Sequence, residues 1–174
     1  TVFMAKKIVQ QDEEVLRAVA TEIKAEEILS TKVQKILKEM KDALHSQDDG
    51  VAIAAPQIGH SLRIFIVAGK IFSKHFVRNI EEEPESKEEK LLNQNNLDQQ
   101  DEEPENLEDL IFINPKISKL SRNKEWLPEG CLSVRWLYGK THRSKKATVT
   151  AYDEHGKKFT RGGSGLLAQI FQHE

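Results

Sequence analysis

Glu129-Gly130-Cys131-Leu132-Ser133 is the stretch on which the reading of this chain turns, because it holds the single cysteine of 174 residues beside a carboxylate and a glycine. A lone cysteine is most often a small buried apolar residue. The far end of the chain opens a second reading. Gln172-His173-Glu174 closes an amphipathic run, and a thiolate and an imidazole can share a metal ion while a carboxylate next to the imidazole handles a proton. That is the first half of an HExxH helix, in which histidines four apart point the same way and the glutamate beside the first acts as base. The second half is absent here.

Length and composition bound the answer. A chain of 174 residues and 19.9 kDa reads as one domain, residues 1–174, able to bury a core without disulfides. One cysteine cannot form an internal disulfide, which fits a reducing compartment or a thiolate kept for chemistry. No apolar run approaches the ~18 residues of a membrane helix, and Lys6-Lys7 lack the apolar segment of a secretory signal. The chain therefore reads as cytoplasmic, with no membrane partner. The net charge of −2 conceals an asymmetry: residues 81–109 carry thirteen acids against Lys87 and Lys90, which is −11 and leaves +9 on the remainder. A basic body suits a polyanion such as RNA or simply keeps a surface soluble. The sequence displays no clustered stripe with interleaved aromatics, so no sequence-specific nucleic-acid binding is expected.

Along the chain, Ile8 to Ile23 suggests a short strand or arm followed by a turn of helix. A clear helix follows: Thr31 as cap with Gln34 closing a capping box, then Val33, Ile36, Leu37, Met40 and Leu44 at helical spacing to about Ser46. In Gly50-Val51-Ala52-Ile53-Ala54-Ala55-Pro56-Gln57, small residues let the backbone approach something closely. Gln57 either faces that neighbour or lies exposed on a loop. Arg63 to Ala68 is a strand. Residues 81–109, rich in Glu, Gln and Asn and holding Pro84 and Pro104, have the composition of a disordered, solvated insertion between strands. Ile111 to Leu120 is extended around an Asn114-Pro115 turn or edge, Trp126 reads as a packing aromatic, and Ala147 to Tyr152 pairs with Lys157 to Thr160 across Asp153-Glu154-His155-Gly156. Gly162-Gly163-Ser164 then caps a helix that buries Leu166, Leu167, Ile170 and Phe171 and turns His173 inward as a core or site histidine.

The three stretches GVAIAAPQ (50–57), EGCLS (129–133) and QHE (172–174) together resemble the peptide deformylases, whose motifs read GxGxAAxQ, EGCxS and QHExDH. Ile113-Asn114-Pro115, Tyr138-Gly139 and GLLAQIFQHE (165–174) are similar as well, and the resemblance runs from Ile8 to Glu174, broken by the acidic stretch. It implies an α+β fold with antiparallel sheets wrapped around the C-terminal helix and the long N-terminal helix packed outside. The implied activity is metal-dependent hydrolysis of the N-formyl group from the N-terminal methionine of nascent polypeptides, in a bacterial-type cytoplasm or an organelle, with ribosome contact. Carried over residue by residue, Cys131 and His173 become ligands of Fe2+ or Zn2+, with a second histidine four places after His173 completing the set. Glu174 handles the proton, and Gln57 and the amide of Leu132 donate to the oxyanion. Gly50, Ala52, Glu129 and Gly130 fall at the substrate, Ala54 helps shape the pocket wall, and Glu129 and Ser133 position the loop. The departures are Ala52 for a glycine, Arg135-Trp136 for a Pro-Gly pair, the acidic insertion, and a C-terminus that reads as incomplete. A chain lacking a full metal site would be an inactive or partner-binding relative, and an altered rim would admit a different N-acyl group.

Overall fold

The computed structural model describes residues 5–74, 76 and 107–174. The long helix, α1 (Thr31–His45), buries Val33, Ile36, Leu37, Met40, Ala43 and Leu44, the stripe its sequence spacing requires. Its cap is Ser30, whose Oγ accepts from the Val33 N–H at 3.3 Å. Gln34 does not close a capping box on Thr31; it donates to the carbonyls of Ile28 and Glu154, tying the helix start to a distant turn. The arm before it also differs from expectation. Only single turns of 3-10 helix form, at Glu14–Leu16 and Ala25–Glu27, and Val19 is exposed, so its apolar spacing is not a buried stripe.

Seven strands follow: β1 (Ala52–Ala54), β2 (Ile64–Val67), β3 (Leu110–Leu120), β4 (Lys124–Gly130), β5 (Tyr138–Ser144), β6 (Lys146–Tyr152) and β7 (Lys158–Ser164). Five form an antiparallel sheet in the order β1-β2-β3-β6-β7, and β4 pairs with β5 as a separate ribbon. The last helix, α2, spans Gly165–His173. Side chains alternate across a strand, and here the alternation divides the core. Ile64, Ile66, Ile111 and Ile113 join the cluster beneath α1, whereas Phe65, Val67 and Phe112 join Ile170 and Phe171 of α2. Phe65 and Phe112 stack with ring centroids 4.5 Å apart, and Phe171 meets Phe112 edge-on at 5.2 Å. The fold is thus α+β as expected, with α1 packed on one face of the five-stranded sheet and α2 on the other.

Several local readings change. Asn114-Pro115 is not a turn but a register shift inside β3. Asn114 has φ 51°, a region asparagine tolerates better than most residues. Its side chain accepts from the Ile23 N–H at 2.8 Å and donates to the Ile23 carbonyl at 2.6 Å. Gly162, Gly163 and Ser164 are the end of β7 rather than a capping loop, and Ser164 makes no side-chain cap. A Cβ on Gly163 would lie 2.8 Å from Leu167 Cγ and 3.1 Å from Phe171, so the glycine lets α2 seat on its own strand. Trp126 is exposed and stacks on His142 with centroids 5.0 Å apart, which replaces its expected packing role. Of the acidic insertion expected at 81–109, residues 81–106 lie outside the described residues. Its final member, Asp109, is docked rather than solvated: the carboxylate lies 2.7 Å from His45 Nε2 and accepts from the Gly69 N–H at 3.0 Å. Among the described residues no helix is long and apolar enough to cross a membrane.

Candidate active site

The β4–β5 ribbon delivers the cysteine. Glu129 and Gly130 end β4 opposite Gly139 and Tyr138 of β5. A Cβ on Gly130 would sit 2.8 Å from the Tyr138 ring, so glycine is required for the ring to cross the strand there. Cys131 begins a turn closed by the Val134 N–H donating to its carbonyl at 3.0 Å. From the other side, α2 presents His173 to the pocket that Cys131 also lines, and the cysteine is the first influence favouring a proton on its imidazole. Together with Gly50, Ala52, Gln57, Glu129, Gly130, Leu132 and Glu174, these two residues line one pocket of about 300 Å³.

Glu129 organises the charges. Its carboxylate accepts from Arg143 through both Nε and Nη2, lies 2.8 Å from His173 Nδ1 and accepts from Gln169 Nε2 at 3.2 Å. Burial alone would raise its carboxyl, but the hydrogen bonds from Arg143, His173 and Gln169 outweigh that and hold it at about 2. A proton on Nδ1 facing Glu129 leaves Nε2 as the free nitrogen of His173. The His173 imidazolium is favoured up to about 9, first by Cys131, against burial, and further by Glu174 and Glu129. Surroundings that hold a proton on that ring suit a cation. Glu174 ends α2, its N–H donating to the Ile170 carbonyl at 2.9 Å. Burial and Glu129 raise its carboxyl and His173 lowers it; since the residue keeps exposed surface, the upward push is partial.

Gln57 is not an exposed loop residue. It is 6% exposed, in a 3-10 turn after β1, where its Oε1 accepts from the Ala54 N–H at 2.8 Å. That bond fixes which end of the amide is which and turns Nε2 to the pocket, 3.1 Å from Ser133 Oγ and 3.8 Å from Cys131 Sγ. Ala52, in extended backbone at the pocket wall, is not among the residues of positive φ, so its methyl is accommodated without strain. Ala54, by contrast, contributes through its N–H and is not a lining residue. At the rim, Arg135 donates to Asp49 at 2.7 and 3.2 Å and to Gln47 at 2.5 Å. Trp136 is 81% exposed with φ 67°, a left-handed conformation in which a bulky residue is strained.

The sequence reading missed the residues that hold the others in place. Arg143 also donates to the Gln172 carbonyl at 3.2 Å. Gln172 in turn bridges β5 and α2, accepting from the Ser144 N–H and donating to the Ser144 carbonyl. Gln10 of the N-terminal arm donates to the Leu132 carbonyl at 3.2 Å. The one sequence signal was the presence of Gln169 and Gln172 within an otherwise apolar helix, where a polar side chain must find a partner.

A family model described as polypeptide deformylase matches residues 5–174. The chain belongs to the polypeptide deformylase family. It is 32% identical to peptide deformylase 2 of Clostridium acetobutylicum over 97% of this chain and 86% of that protein. It is also 32% identical to the chloroplastic/mitochondrial peptide deformylase 1A of Arabidopsis thaliana, over 97% of this chain and 56% of that one. A solved peptide deformylase from Legionella pneumophila is similar with a TM-score of 0.71 and 28% identity, covering 98% of this chain and 78% of that one. Polypeptide deformylases are metallohydrolases that remove the N-formyl group from nascent peptides, and that is the activity of this chain. Among the described residues no group of three or more His, Cys, Asp or Glu side chains is gathered to hold a metal ion. The donors present nevertheless fit one in kind: a thiol and an imidazole line the same pocket, with Glu129 behind the imidazole, the usual support of a ligating histidine.

Proposed function

We propose that this pocket hydrolyses the formyl amide of N-formylmethionyl peptides, with Cys131 and His173 as two protein ligands of a divalent ion, iron or zinc. Sulfur and imidazole nitrogen suit both. The deformylase pattern's second histidine, four positions after His173, falls past Glu174. The ion, when bound, supplies Lewis acidity toward the formyl oxygen and a water whose pKa lies near about 7. Glu174 takes the proton of the attacking water as its oxygen bonds to the formyl carbon. The carbonyl π pair moves onto oxygen, where Gln57 Nε2 and the Leu132 N–H donate to it. As the C–N bond breaks, Glu174 returns the proton to the departing nitrogen, giving formate and a peptide with a free amino terminus. Gly50 and Ala52 border the substrate, Gly130 keeps the wall thin, and Glu129 and Ser133 orient His173 and Gln57.

The observation that supports this reading is the convergence of the Cys131 sulfur, the His173 ring and the amide of Gln57 on one pocket. The substrate is a nascent chain, and the compartment is one where synthesis starts with formylmethionine: a bacterial-type cytoplasm or an organelle. Contact with the ribosome is in keeping with the +9 carried outside residues 81–109. The test is hydrolysis of formyl-Met-Ala by the full-length protein loaded separately with iron and zinc, with the acetyl peptide alongside. Formyl cleavage lost in Cys131→Ala is the expected result; full activity in that variant, or acetyl cleavage at the formyl rate, contradicts the proposal.

A further inference from the structure

The β4–β5 ribbon has two faces. Glu129 and Arg143 meet on one face, while Trp126 opposite His142, with Lys124 and Lys140 in the same alternation, falls on the other. Trp126, Lys140 and His142 are exposed there. Trp126 remains 66% exposed although one ring face meets His142. The open ring face is a flat surface on which a base can stack.

Cations gather at the end of this face. The Lys145 N–H donates to the Asn123 carbonyl at 2.9 Å, the Lys146 N–H to Ser121 Oγ at 3.0 Å, and the Ser121 N–H to the Lys146 carbonyl at 2.9 Å. These bonds clasp the β3–β4 turn to the β5–β6 junction. They bring together Arg122, Lys124, Lys145 and Lys146, all exposed, with Lys119 at the adjoining end of β3. Glu125, which shares the other side of the strand alternation with Arg143, pairs with Lys145 at 3.5 Å and draws it away from the Trp126 face. Among the described residues neither Lys124 nor Lys140 forms an ion pair. The sequence hid this stripe because its members come from β3, β4, β5 and two turns.

We propose that this face binds single-stranded RNA without reading its sequence, with phosphates on Arg122, Lys124, Lys140 and Lys146 and a base against the open face of Trp126. Charge complementarity selects a polyanion, and the aromatic among the cations selects one that carries bases: base stacking on an exposed ring adds affinity that every base can provide. An acidic peptide would use the cations but not the ring; an anionic membrane could use both, and comparison with vesicles separates it from RNA. Trp126, His142, Lys124 and Lys140 do not line the pocket, so this binding is separate from the hydrolase chemistry.

The test is fluorescence anisotropy of the full-length protein with a labelled RNA of ~15 nucleotides, a length suited to one such site. Neutralising three to four phosphates gives a slope of log K against log salt of about −2 to −3. Lys124→Ala with Lys140→Ala makes that slope shallower by about 1.4. Trp126→Ala weakens binding roughly tenfold with the slope unchanged. Formyl-Met-Ala turnover of the variants stays within twofold of the parent, which also reports that they fold. Absence of salt-dependent binding overturns the proposal, and so does an unaltered affinity in Trp126→Ala. Displacement of RNA by polyglutamate of equal charge, or stronger binding to phosphatidylserine vesicles than to RNA, overturns it too, since neither offers bases.

Discussion

Replacing Glu129 with glutamine should damage both the stability of the protein and its hold on a metal ion. The carboxylate receives donors from Arg143, His173 and Gln169 at once, and the Glu129 and Arg143 side chains are only 11% and 20% exposed. Glutamine keeps the shape but offers one acceptor oxygen, so its NH2 must face a donor from Arg143, Gln169 or His173. Breaking one partner of a buried ion pair costs about 3–5 kcal/mol, and the residual exposure here argues for the lower end, about 3 kcal/mol. For a chain of this size, each kcal/mol moves the melting temperature by about 2–4 °C, so the metal-free variant should melt roughly 6–12 °C lower. The melt is run without metal so that ligand binding does not contribute. Metal affinity, measured by competition with a chelator, should fall about 10- to 100-fold through loss of the group behind the imidazole. A melting temperature within ~2 °C of the parent, together with unaltered affinity, would falsify the role given to Glu129.

Three further outcomes follow from the same geometry. Trp136→Gly should be more stable than Trp136→Ala by about 1 kcal/mol in chemical denaturation, because both lose the exposed ring and only glycine adopts the left-handed conformation freely; equal stabilities would mean that the φ of 67° is not strained. Asn114→Ala should cost about 2–3 kcal/mol, since it strands both the N–H and the carbonyl of Ile23 and leaves alanine at a positive φ; a loss below ~1 kcal/mol counts against that clamp. The Asp49 carboxyl is lowered first by its hydrogen bonds from Arg135, against burial. A depressed carboxyl contributes stability above its unfolded pKa of about 4 and loses it as pH falls through the folded value. The stability gap between the parent and Asp49→Asn should therefore be present near pH 6 and close toward pH 3. A gap that widens on acidification has the wrong sign.

What could be read from the sequence was whatever rests on residue chemistry or local period. The lone cysteine, the terminal imidazole and the small-residue approach to Gln57 are chemical signals, and α1 and the alternating Ile and Phe of β2 and β3 are periodic ones. What escaped depends on pairing across long sequence distances. Arg143 meets Glu129 only because β4 and β5 are antiparallel neighbours in that register, and Gln10 reaches Leu132 across 122 positions of sequence. Ser30 and Thr31 are adjacent hydroxyls, either of which could cap; the choice fell to the one whose Oγ meets Val33. Gly162 and Gly163 looked like a loop by composition, yet both extend β7, and at Gly163 Leu167 and Phe171 occupy the space a side chain would fill. Trp126 looked like core by its size, but the strand alternation that turns Glu129 inward turns Trp126 outward.

Cys131 is the single thiol in the chain, so any thiolate-to-metal signal must originate there. The decisive measurement is the absorption spectrum of the full-length protein loaded with cobalt(II), a coloured substitute for the native ion. A sulfur-to-cobalt charge-transfer band that vanishes in Cys131→Ala and weakens in His173→Ala is the expected outcome. A cobalt-bound protein without that band, or one whose spectrum ignores both substitutions, contradicts the meeting of sulfur and imidazole at one cation.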